Sequence, residues 1–412
     1  MSQNTVPIVF ATNKEFADYC YVAIHSVLAH AKTDDHYTIR VLMTDFSDEW
    51  KVLFESLSRA NADVTCINVS DRIRESDLRG IKYLSAEALY RLFIPKMMSG
   101  HDRVLYLDSD LVVKKDVAPL LTTDLQGCPI AVVSENHSDY LNDHATEIGM
   151  RNASLMFNTG VMVMDTRVFE QENIRDKALA LLYEDYRNKH RKYVLLDQDI
   201  LNVVLEGNIC YLDGRWNFQP QYMNRIFAIE EGYRKQYQKI SQDPWIVHFA
   251  GINKPWNVTG MPYADVFWDA VRKTERGMDI ALAALSRGEK NLESCGRFQM
   301  FRFPYESVRP SSRIALYGAG TVGQDFYHQL QQTLYAQIVL WVDRRNEEMT
   351  VDYPITAVPE LYDRDEDYDC VVIALEHRET AMAVRERLIR EGINQEKLVW
   401  ANYLREAFSF ST

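Results

Sequence analysis

Two aspartates one residue apart, Asp108 and Asp110, are the residues of this chain whose types and spacing best suit chemistry. They directly follow an apolar run at residues 104–107, which predicts a buried strand. Charged groups are rarely buried unless they are paired or bind a metal, and ligands of open α/β sheets bind at the carboxyl ends of strands. The pattern indicates a hard divalent cation, magnesium or manganese, shared with phosphate oxygens. An isolated Asp-x-Asp more often only caps the next segment, so other residues have to decide.

Further polar residues stand at the edges of other apolar runs. Asp197, Gln198 and Asp199 precede an apolar helix, where capping explains one acid at most. His248 ends an apolar run, and Lys254 follows it closely enough to serve as a point charge for a phosphate. The remaining candidates at apolar runs are Gly251 after His248, and Asn158 and Gly160 at an apolar strand. Arg91 is the last candidate, and its simplest interpretation is a surface or salt-bridged arginine.

Strands and helices alternate through the N-terminal two-thirds of the chain. Apolar runs predict strands at residues 8–11, 37–43, 64–69, 104–107, 130–133 and 157–164, with helices after residues 15 and 47. Strand, helix, strand at this spacing predicts parallel pairing with right-handed crossovers. This nucleotide-binding type of α/β sheet lacks a G-x-G-x-x-G, so the aspartate pair and its metal are the available means of holding phosphates.

Composition limits the classes of protein. The 412 residues predict two or three domains, and 47% apolar with 25% charged residues is an ordinary globular mixture. The formal charge of −13 disfavours nucleic acid and anionic membranes as main partners. Six separated cysteines, no signal-peptide pattern and no long apolar stretch predict a cytoplasmic protein with reduced thiols.

The C-terminal third is expected to be a separate module. Residues 261–311 are predicted to form a helical connector with a basic side, and residues 312–412 a small Rossmann-like α/β domain. Gly318-x-Gly320-x-x-Gly323 follows a predicted strand, and Asp343 lies twenty residues after Gly323, as in dinucleotide-binding sites. The module is only about half a dinucleotide domain in length. We expect an accessory nucleotide-sensing, docking or structural role rather than NAD binding.

The ordered set of motifs resembles glycosyltransferase family 8, the group of glycogenin and the bacterial lipopolysaccharide galactosyl- and glucosyltransferases. The resemblance covers about residues 6–260 and rests on segments 10–13, 90–92, 105–110, 157–160, 197–201 and 248–256. It implies a GT-A fold for residues 1–260, with a mixed, mainly parallel sheet flanked by helices. It also implies a manganese-dependent enzyme, with magnesium as the alternative metal.

The resemblance implies a role for each matching residue. Asp108, Asp110 and His248 would bind the metal, and Gly251 and Lys254 the diphosphate. Ala11, Thr12 and Asn13 of the loop after the first strand would contact the uridine, and Ser109, between the two aspartates, would also contact the donor. The donor sugar would be held by Arg91, Asn158, Asp197 and Gln198. Glu135 stands where the family often has an aspartate near the sugar.

The implied activity is retaining transfer of glucose or galactose from a UDP-sugar to a glycan, lipopolysaccharide-type or protein-linked acceptor. Asp197 or Gln198 is the nearest candidate nucleophile, with Lys254 stabilising the leaving group, and we favour front-face attack because glutamine is a poor nucleophile. The enzyme would act in the cytoplasm or at the inner face of the membrane, with at most peripheral attachment; its oligomeric state is open. The alternative is an NAD(P)-binding or nucleotide-sensing protein that functions through its C-terminal glycines.

Overall fold

The computed structural model describes residues 4–44, 47–69, 89–135, 139–223, 229–258, 261–294, 301–348 and 353–400. The chain forms two compact units, Met1–Ile252 and Asn253–Thr412. The apolar pattern of residues 83–98 predicts a helix, and this segment lies partly outside the described residues. A connector at 261–311 and a boundary at 260 stay predictions.

A seven-stranded sheet in the order β3-β2-β1-β4-β7-β6-β8 forms the centre of the first unit. Four of its six strand pairings are parallel, and the two involving β7 with β4 and β6 are antiparallel. A separate antiparallel ladder joins β5 and β9. The strands are β1 Asn4–Ala11, β2 Asp35–Met43, β3 Ala62–Asn68, β4 Arg103–Leu107, β5 Leu111–Val113, β6 Ile130–Ser134, β7 Phe157–Asp165, β8 Cys210–Tyr211 and β9 Ile246–His248. The predicted mixed, mainly parallel α/β sheet is confirmed.

Both faces of this sheet are buried, which explains why its strands are continuous apolar runs. Side chains alternate between the faces, so Val104 and Tyr106 of β4 join one core, and Leu105 and Leu107 join the other. The same alternation places Asp108 on the face of Tyr106.

Helices cover the sheet and hold several of the candidate residues. The second helix, α2, begins after residue 47 as predicted, and Ser47 caps it by accepting a hydrogen bond from the Trp50 amide. The helices of the first unit are α1 Ala17–Ala29, α2 Asp48–Glu55, α3 Ile94–Met97, α4 Asp139–Ile148, α5 Thr166–Gln171, α6 Ile174–Asn188, α7 Asp197–Val204 and α8 Glu231–Gln242. Short 3₁₀ turns at Arg91–Phe93 and Gly214–Asn217 matter for the site.

The second unit contains a four-stranded parallel sheet in the order β11-β10-β12-β13. Its strands are β10 Arg313–Tyr317, β11 Gln337–Val342, β12 Cys370–Ile373 and β13 Leu398–Val399, and its helices are α9 Ala264–Arg272, α10 Gly277–Ser294, α11 Thr321–Thr333, α12 Glu360–Asp363 and α13 Arg378–Arg390. In the described part of the chain, no helix is both long and apolar enough to cross a bilayer.

The glycine turn of the second unit is tightly packed. Gly318 has a φ of +105°, and a Cβ on Gly323 would come within 2.0 Å of the Gly318 carbonyl oxygen. One carboxylate oxygen of Asp343 accepts from the Ala319 amide at 2.8 Å, and the other from the Arg345 amide at 2.8 Å. Gly318, Gly323 and Asp343 therefore stabilise the turn itself.

Candidate active site

Strand pairing assembles a cluster of three potential metal ligands. Asp108 and Asp110 lie between β4 and β5, and His248 is the last residue of β9. In the β5–β9 ladder His248 pairs with Leu111, and the Phe249 amide donates to the Asp110 carbonyl oxygen at 2.9 Å. One ligand atom from each of Asp108, Asp110 and His248 lies within 4.8 Å of the others. The fold thus brings together residues that are 138 positions apart (248 − 110) in the sequence.

The donor set suits a divalent cation such as manganese. His248 Nε2 lies 3.1 Å from Asp110 Oδ1 and 3.6 Å from Asp108 Oδ2. Two carboxylate oxygens and an imidazole nitrogen match the ligand preferences of manganese, and the carboxylates also suit magnesium. Gly160 borders the cluster, and a Cβ there would lie 2.2 Å from His248 Cε1 and 2.9 Å from Asp108 Oδ2. The three residues fit a metal ion, and glycine at position 160 keeps their arrangement possible.

We expect Gly160→Ala to lower manganese affinity by at least about tenfold, because the added methyl group displaces His248 and ligand misplacement weakens metal binding on that scale. Isothermal titration with Mn²⁺ measures the change. Gly100→Ala is the matched control, since a Cβ at Gly100 meets nothing within 4 Å. Unchanged affinity in Gly160→Ala would show that the ligands tolerate displacement and would contradict the assignment.

Arg91 lies between two carboxylates at the base of the cluster. It donates to Asp108 Oδ1 at 3.0 Å, and its Nε pairs with Asp197 Oδ2 at 3.0 Å. It also donates to the carbonyl and hydroxyl oxygens of Thr159, and its guanidinium stacks over the Tyr106 ring at 4.6 Å. Burial alone would lower the pKa of Arg91, but Asp108 and Asp197 together raise it. Arg91 is therefore a buried cation within an ion-pair network, not a surface salt bridge.

Asp108 and Asp197 have different environments within this network. The Tyr106 hydroxyl donates to Asp108 Oδ1 at 2.6 Å, which leaves Oδ2 directed at His248. Asp197 is buried and accepts from the Thr159 hydroxyl at 3.2 Å. Burial raises the pKa of Asp197 to about 6, Arg91 opposes that rise, and Asp108 adds to it.

Gln198 and Asn158 lie beside one another behind the metal cluster. Gln198 Oε1 accepts from Asn158 Nδ2 at 3.0 Å and from the Thr159 amide at 3.4 Å. Asn158 Oδ1 accepts from the Gly160 amide at 2.9 Å and from Asn217 Nδ2 at 2.8 Å. A register shift in the β6–β7 pairing releases residues 159–161 from β6, so their backbone can turn toward the site.

Asn217 joins this group and was not predicted from the sequence. It is the last residue of the Gly214–Asn217 turn, and its Oδ1 lies 2.8 Å from His248 Nδ1. An asparagine in a loop carries no local sign of such a contact. Asp199 is the opposite case: it is fully buried, pairs with His144 at 2.8 Å and accepts from the Leu195 amide. Asp199 therefore stabilises the start of α7 and lies outside the ligand cluster.

The residues predicted to meet the nucleotide occupy the end of β1 and the loop after it. The Ser109 hydroxyl donates to the Ala11 carbonyl oxygen at 2.9 Å, which ties the aspartate segment to β1. Thr12 is buried, and Asn13 Oδ1 accepts from the Phe16 amide at 3.0 Å. Their contact with a nucleotide stays a prediction.

Gly251 and Lys254 lie on either side of the division between the two units. Gly251 has a φ of +81°, and a Cβ there would come within 2.8 Å of Gln221 Oε1. Lys254 is the second residue of the second unit, is 7% exposed, and accepts at its carbonyl oxygen from the Asn257 and Val258 amides. Diphosphate binding by Gly251 and Lys254 stays a prediction.

Glu135 is a buried acid at the end of β6. Its Oε1 accepts from Gln219 Nε2 at 3.0 Å and from the Tyr222 hydroxyl at 3.4 Å. Glu135 and Gln219 line a cavity of about 240 Å³ that also reaches Asn217 and the tyrosines of α8.

A mixed sheet with this strand order and an Asp-x-Asp at the carboxyl end of β4 defines a glycosyltransferase of the GT-A-like class. Residues 7–260 match the model of glycosyl transferase family 8, and the chain belongs to that family. The family is one of glycosyl transferases.

Bacterial glycosyltransferases are among the proteins to which this chain is similar. Glycosyltransferase GlyF of Streptococcus pneumoniae is 28% identical over 287 residues, which cover 69% of this chain and 64% of GlyF. General stress protein A of Bacillus subtilis is 28% identical over 55% of this chain and 79% of its own length. Lipopolysaccharide 1,3-galactosyltransferase of Salmonella typhimurium is 26% identical over 64% of this chain and 77% of its own length. The matched region thus spans less than two thirds of GlyF.

Solved structures show the same fold. An active-site mutant of LgtC is 25% identical and superposes with a TM-score of 0.54 over 64% of this chain and 95% of LgtC. The bifunctional glycosyltransferase WbbM is 25% identical, with a TM-score of 0.57 over 70% of this chain and 52% of WbbM.

Proposed function

We propose that this protein transfers a hexose, glucose or galactose, from a UDP-sugar to a glycan acceptor with retention of configuration. The observation that supports it is the cluster of Asp108, Asp110 and His248 within a family 8 fold. Relatives named as lipopolysaccharide glucosyl- and galactosyltransferases support a lipopolysaccharide-type acceptor, with a protein-linked glycan as the alternative. We place the reaction in the cytoplasm or at the inner face of the membrane, with at most peripheral attachment.

Asp108, Asp110 and His248 would hold manganese, or magnesium in its place. Bound there, the ion would supply Lewis-acid stabilisation to the diphosphate leaving group. Arg91 pairs with the two neighbouring carboxylates, Asp108 and Asp197, and holds them in position. The donor-sugar contacts predicted for Arg91, Asn158, Asp197 and Gln198 belong to this proposal.

The orientation of Gln198 favours front-face attack over double displacement. Its carbonyl oxygen, the atom that would act as nucleophile, already accepts from Asn158 and from the Thr159 amide. The NH₂ end of Gln198 is then the part available to donate a hydrogen bond to a sugar hydroxyl. In front-face attack the acceptor oxygen forms the new bond on the side from which UDP departs, and a UDP oxygen takes the acceptor proton.

A panel of UDP-sugars tests this proposal directly. We expect UDP release from UDP-glucose or UDP-galactose that is lost in EDTA and restored by Mn²⁺, together with transfer to a saccharide acceptor. GDP- and CMP-sugars serve as controls for the nucleotide. If no UDP-sugar binds in the presence of Mn²⁺ by isothermal titration, the proposed donor class is wrong.

The hydrogen bonds of Asp343 argue against the alternative function, NAD(P) binding by the C-terminal module. A dinucleotide site uses this acid to bind the ribose hydroxyls. Both oxygens of Asp343 instead accept backbone amides, from Ala319 and Arg345. We propose a structural or docking role for a Rossmann-like module at residues 312–412.

A further inference from the structure

We infer that Asn158 and Asn217 form a directed hydrogen-bond relay that fixes the tautomer of His248 and presents its Nε2 lone pair to the metal. The inference rests on the proposed metal site, and it assigns a positioning role to Asn217. All three side chains are buried, with exposed fractions of 6% for Asn158, 2% for Asn217 and 2% for His248. Buried amides and imidazoles need hydrogen-bond partners, so their orientations are coupled.

The relay begins at the Gly160 backbone amide, whose role in a hydrogen bond is fixed. The Gly160 backbone N–H can only donate, and it lies 2.9 Å from the side-chain oxygen of Asn158. Side-chain amides have two similar ends that only their hydrogen bonds distinguish. The Gly160 amide therefore fixes which end of Asn158 is the oxygen. The NH₂ end of Asn158 then donates to Gln198 Oε1, which also accepts the Thr159 backbone N–H.

The orientation of Asn158 determines which group donates and which accepts in the hydrogen bonds to Asn217 and from Asn217 to His248. Because Asn158 presents its oxygen, Asn217 must donate to it, through Nδ2 at 2.8 Å. The oxygen of Asn217 then faces His248 Nδ1 at 2.8 Å and can only accept. His248 Nδ1 therefore carries the proton, and in a neutral imidazole the lone pair is on Nε2. Nε2 is the nitrogen that faces Asp110 and Asp108.

The relay gives Asn217 a measurable effect on metal binding. A metal-binding histidine is held in its tautomer and ring orientation by the partner of its other nitrogen, and loss of that partner typically costs 10- to 100-fold in metal affinity. If Asn217 is replaced by an apolar residue, His248 Nδ1 loses its acceptor and the ring is free to change tautomer or to rotate.

Two variants at position 217 separate orientation from packing. Asn217→Leu removes the amide at similar size, whereas Asn217→Asp keeps an oxygen for His248 Nδ1 and loses the donor to Asn158. We expect Asn217→Leu to bind Mn²⁺ 10- to 100-fold more weakly, and Asn217→Asp to retain most of the affinity. Asn208→Ala is the control, since Asn208 donates to Glu172 outside the relay. Circular dichroism and the thermal midpoint check that each variant is folded.

The tautomer itself provides a readout that does not depend on activity. Long-range ¹H–¹⁵N spectra of histidine-labelled protein at about pH 9, where a free imidazole is neutral, distinguish the protonated nitrogen, and a His248→Gln variant assigns the signal. We expect a single Nδ1–H tautomer in the wild type and in Asn217→Asp, and a mixture in Asn217→Leu. An Nε2–H tautomer in the wild type, or a single Nδ1–H tautomer in Asn217→Leu, would overturn the relay. If the wild type shows Nδ1–H but binds no Mn²⁺, the metal site fails and the relay stands.

Discussion

Asp110→Asn is expected to reduce glycosyl transfer by about three orders of magnitude, since metal stabilisation of a leaving group is worth several kcal/mol. The substitution keeps the size of the side chain but removes one of the two carboxylates that face His248. Transfer measured as UDP release, alongside Mn²⁺ titration, should show both activity and affinity falling together. The Asp110 backbone carbonyl still accepts from Phe249, so the β5–β9 ladder is retained.

Asp102→Asn is the matched control for Asp110→Asn. Asp102 is an exposed acid directly before β4, at the opposite end of the strand that leads to Asp108. Asp102→Asn makes the same change in charge at a position outside the cluster. Surface substitutions of this kind have small energetic effects, so we expect activity to stay within about twofold of the wild type. Full activity in Asp110→Asn would remove the basis for a metal at this site.

Arg91→Leu is expected to destabilise the first unit by about 3–5 kcal/mol and to abolish transfer. Removing one partner of a buried ion pair leaves uncompensated charge, and Arg91 pairs with both Asp108 and Asp197. For a domain of this size, that loss lowers the thermal midpoint by roughly 6–20 °C. Arg187→Leu on the exposed surface of α6 is the control and should leave the midpoint nearly unchanged.

The difference in folding stability between Arg91→Leu and the wild type should become smaller as the pH falls. The pKa of Asp197 is raised to about 6 in the folded protein, first by burial, even though Arg91 lowers it. A folded-state pKa above the unfolded value means that stability is lost as the pH rises through it. Without Arg91 the pKa of Asp197 rises further. The variant therefore loses more folding stability than the wild type as the pH rises from about 5 to about 8. A deficit in metal-free protein that is independent of pH would contradict an ionised Asp197 held by Arg91.

Local sequence patterns are sufficient for most strands of the large sheet and for the position of the first two candidate ligands. The apolar run at 104–107 followed by Asp108 and Asp110 predicts both a buried strand and the position of its acids, and the structure has β4 there. Only the family resemblance indicates His248 as a candidate ligand. Its place in the cluster depends on the pairing of β9 with β5, which no local pattern specifies.

Residues whose role depends on tertiary contacts were harder to predict. The sequence gives no sign of the contact that Asn217 makes. It also gives no reason to separate Asp199 from Asp197 and Gln198, although Asp199 faces the core and pairs with His144. Asp197 and Asp199 are two residues apart on α7, so their side chains point about 200° apart around the helix axis, since successive helix residues point about a hundred degrees apart. For Arg91, the pairing with Asp108 and Asp197 requires three segments of chain to meet, so its sequence position alone favoured the simpler surface interpretation.

The short β5–β9 ladder determines how this enzyme can change its length without losing the cluster. Pairing with Leu111 determines the face of the ladder on which the His248 side chain lies. The 138 positions between Asp110 and His248 in the sequence do not affect that orientation. Insertions in the loops between β5 and β9 should therefore be tolerated. A single residue added between Ile246 and His248 would instead turn the imidazole to the other face of the ladder, because side chains alternate along a strand. Strand register specifies the position of the third candidate ligand, and motifs defined by spacing along the chain cannot describe it.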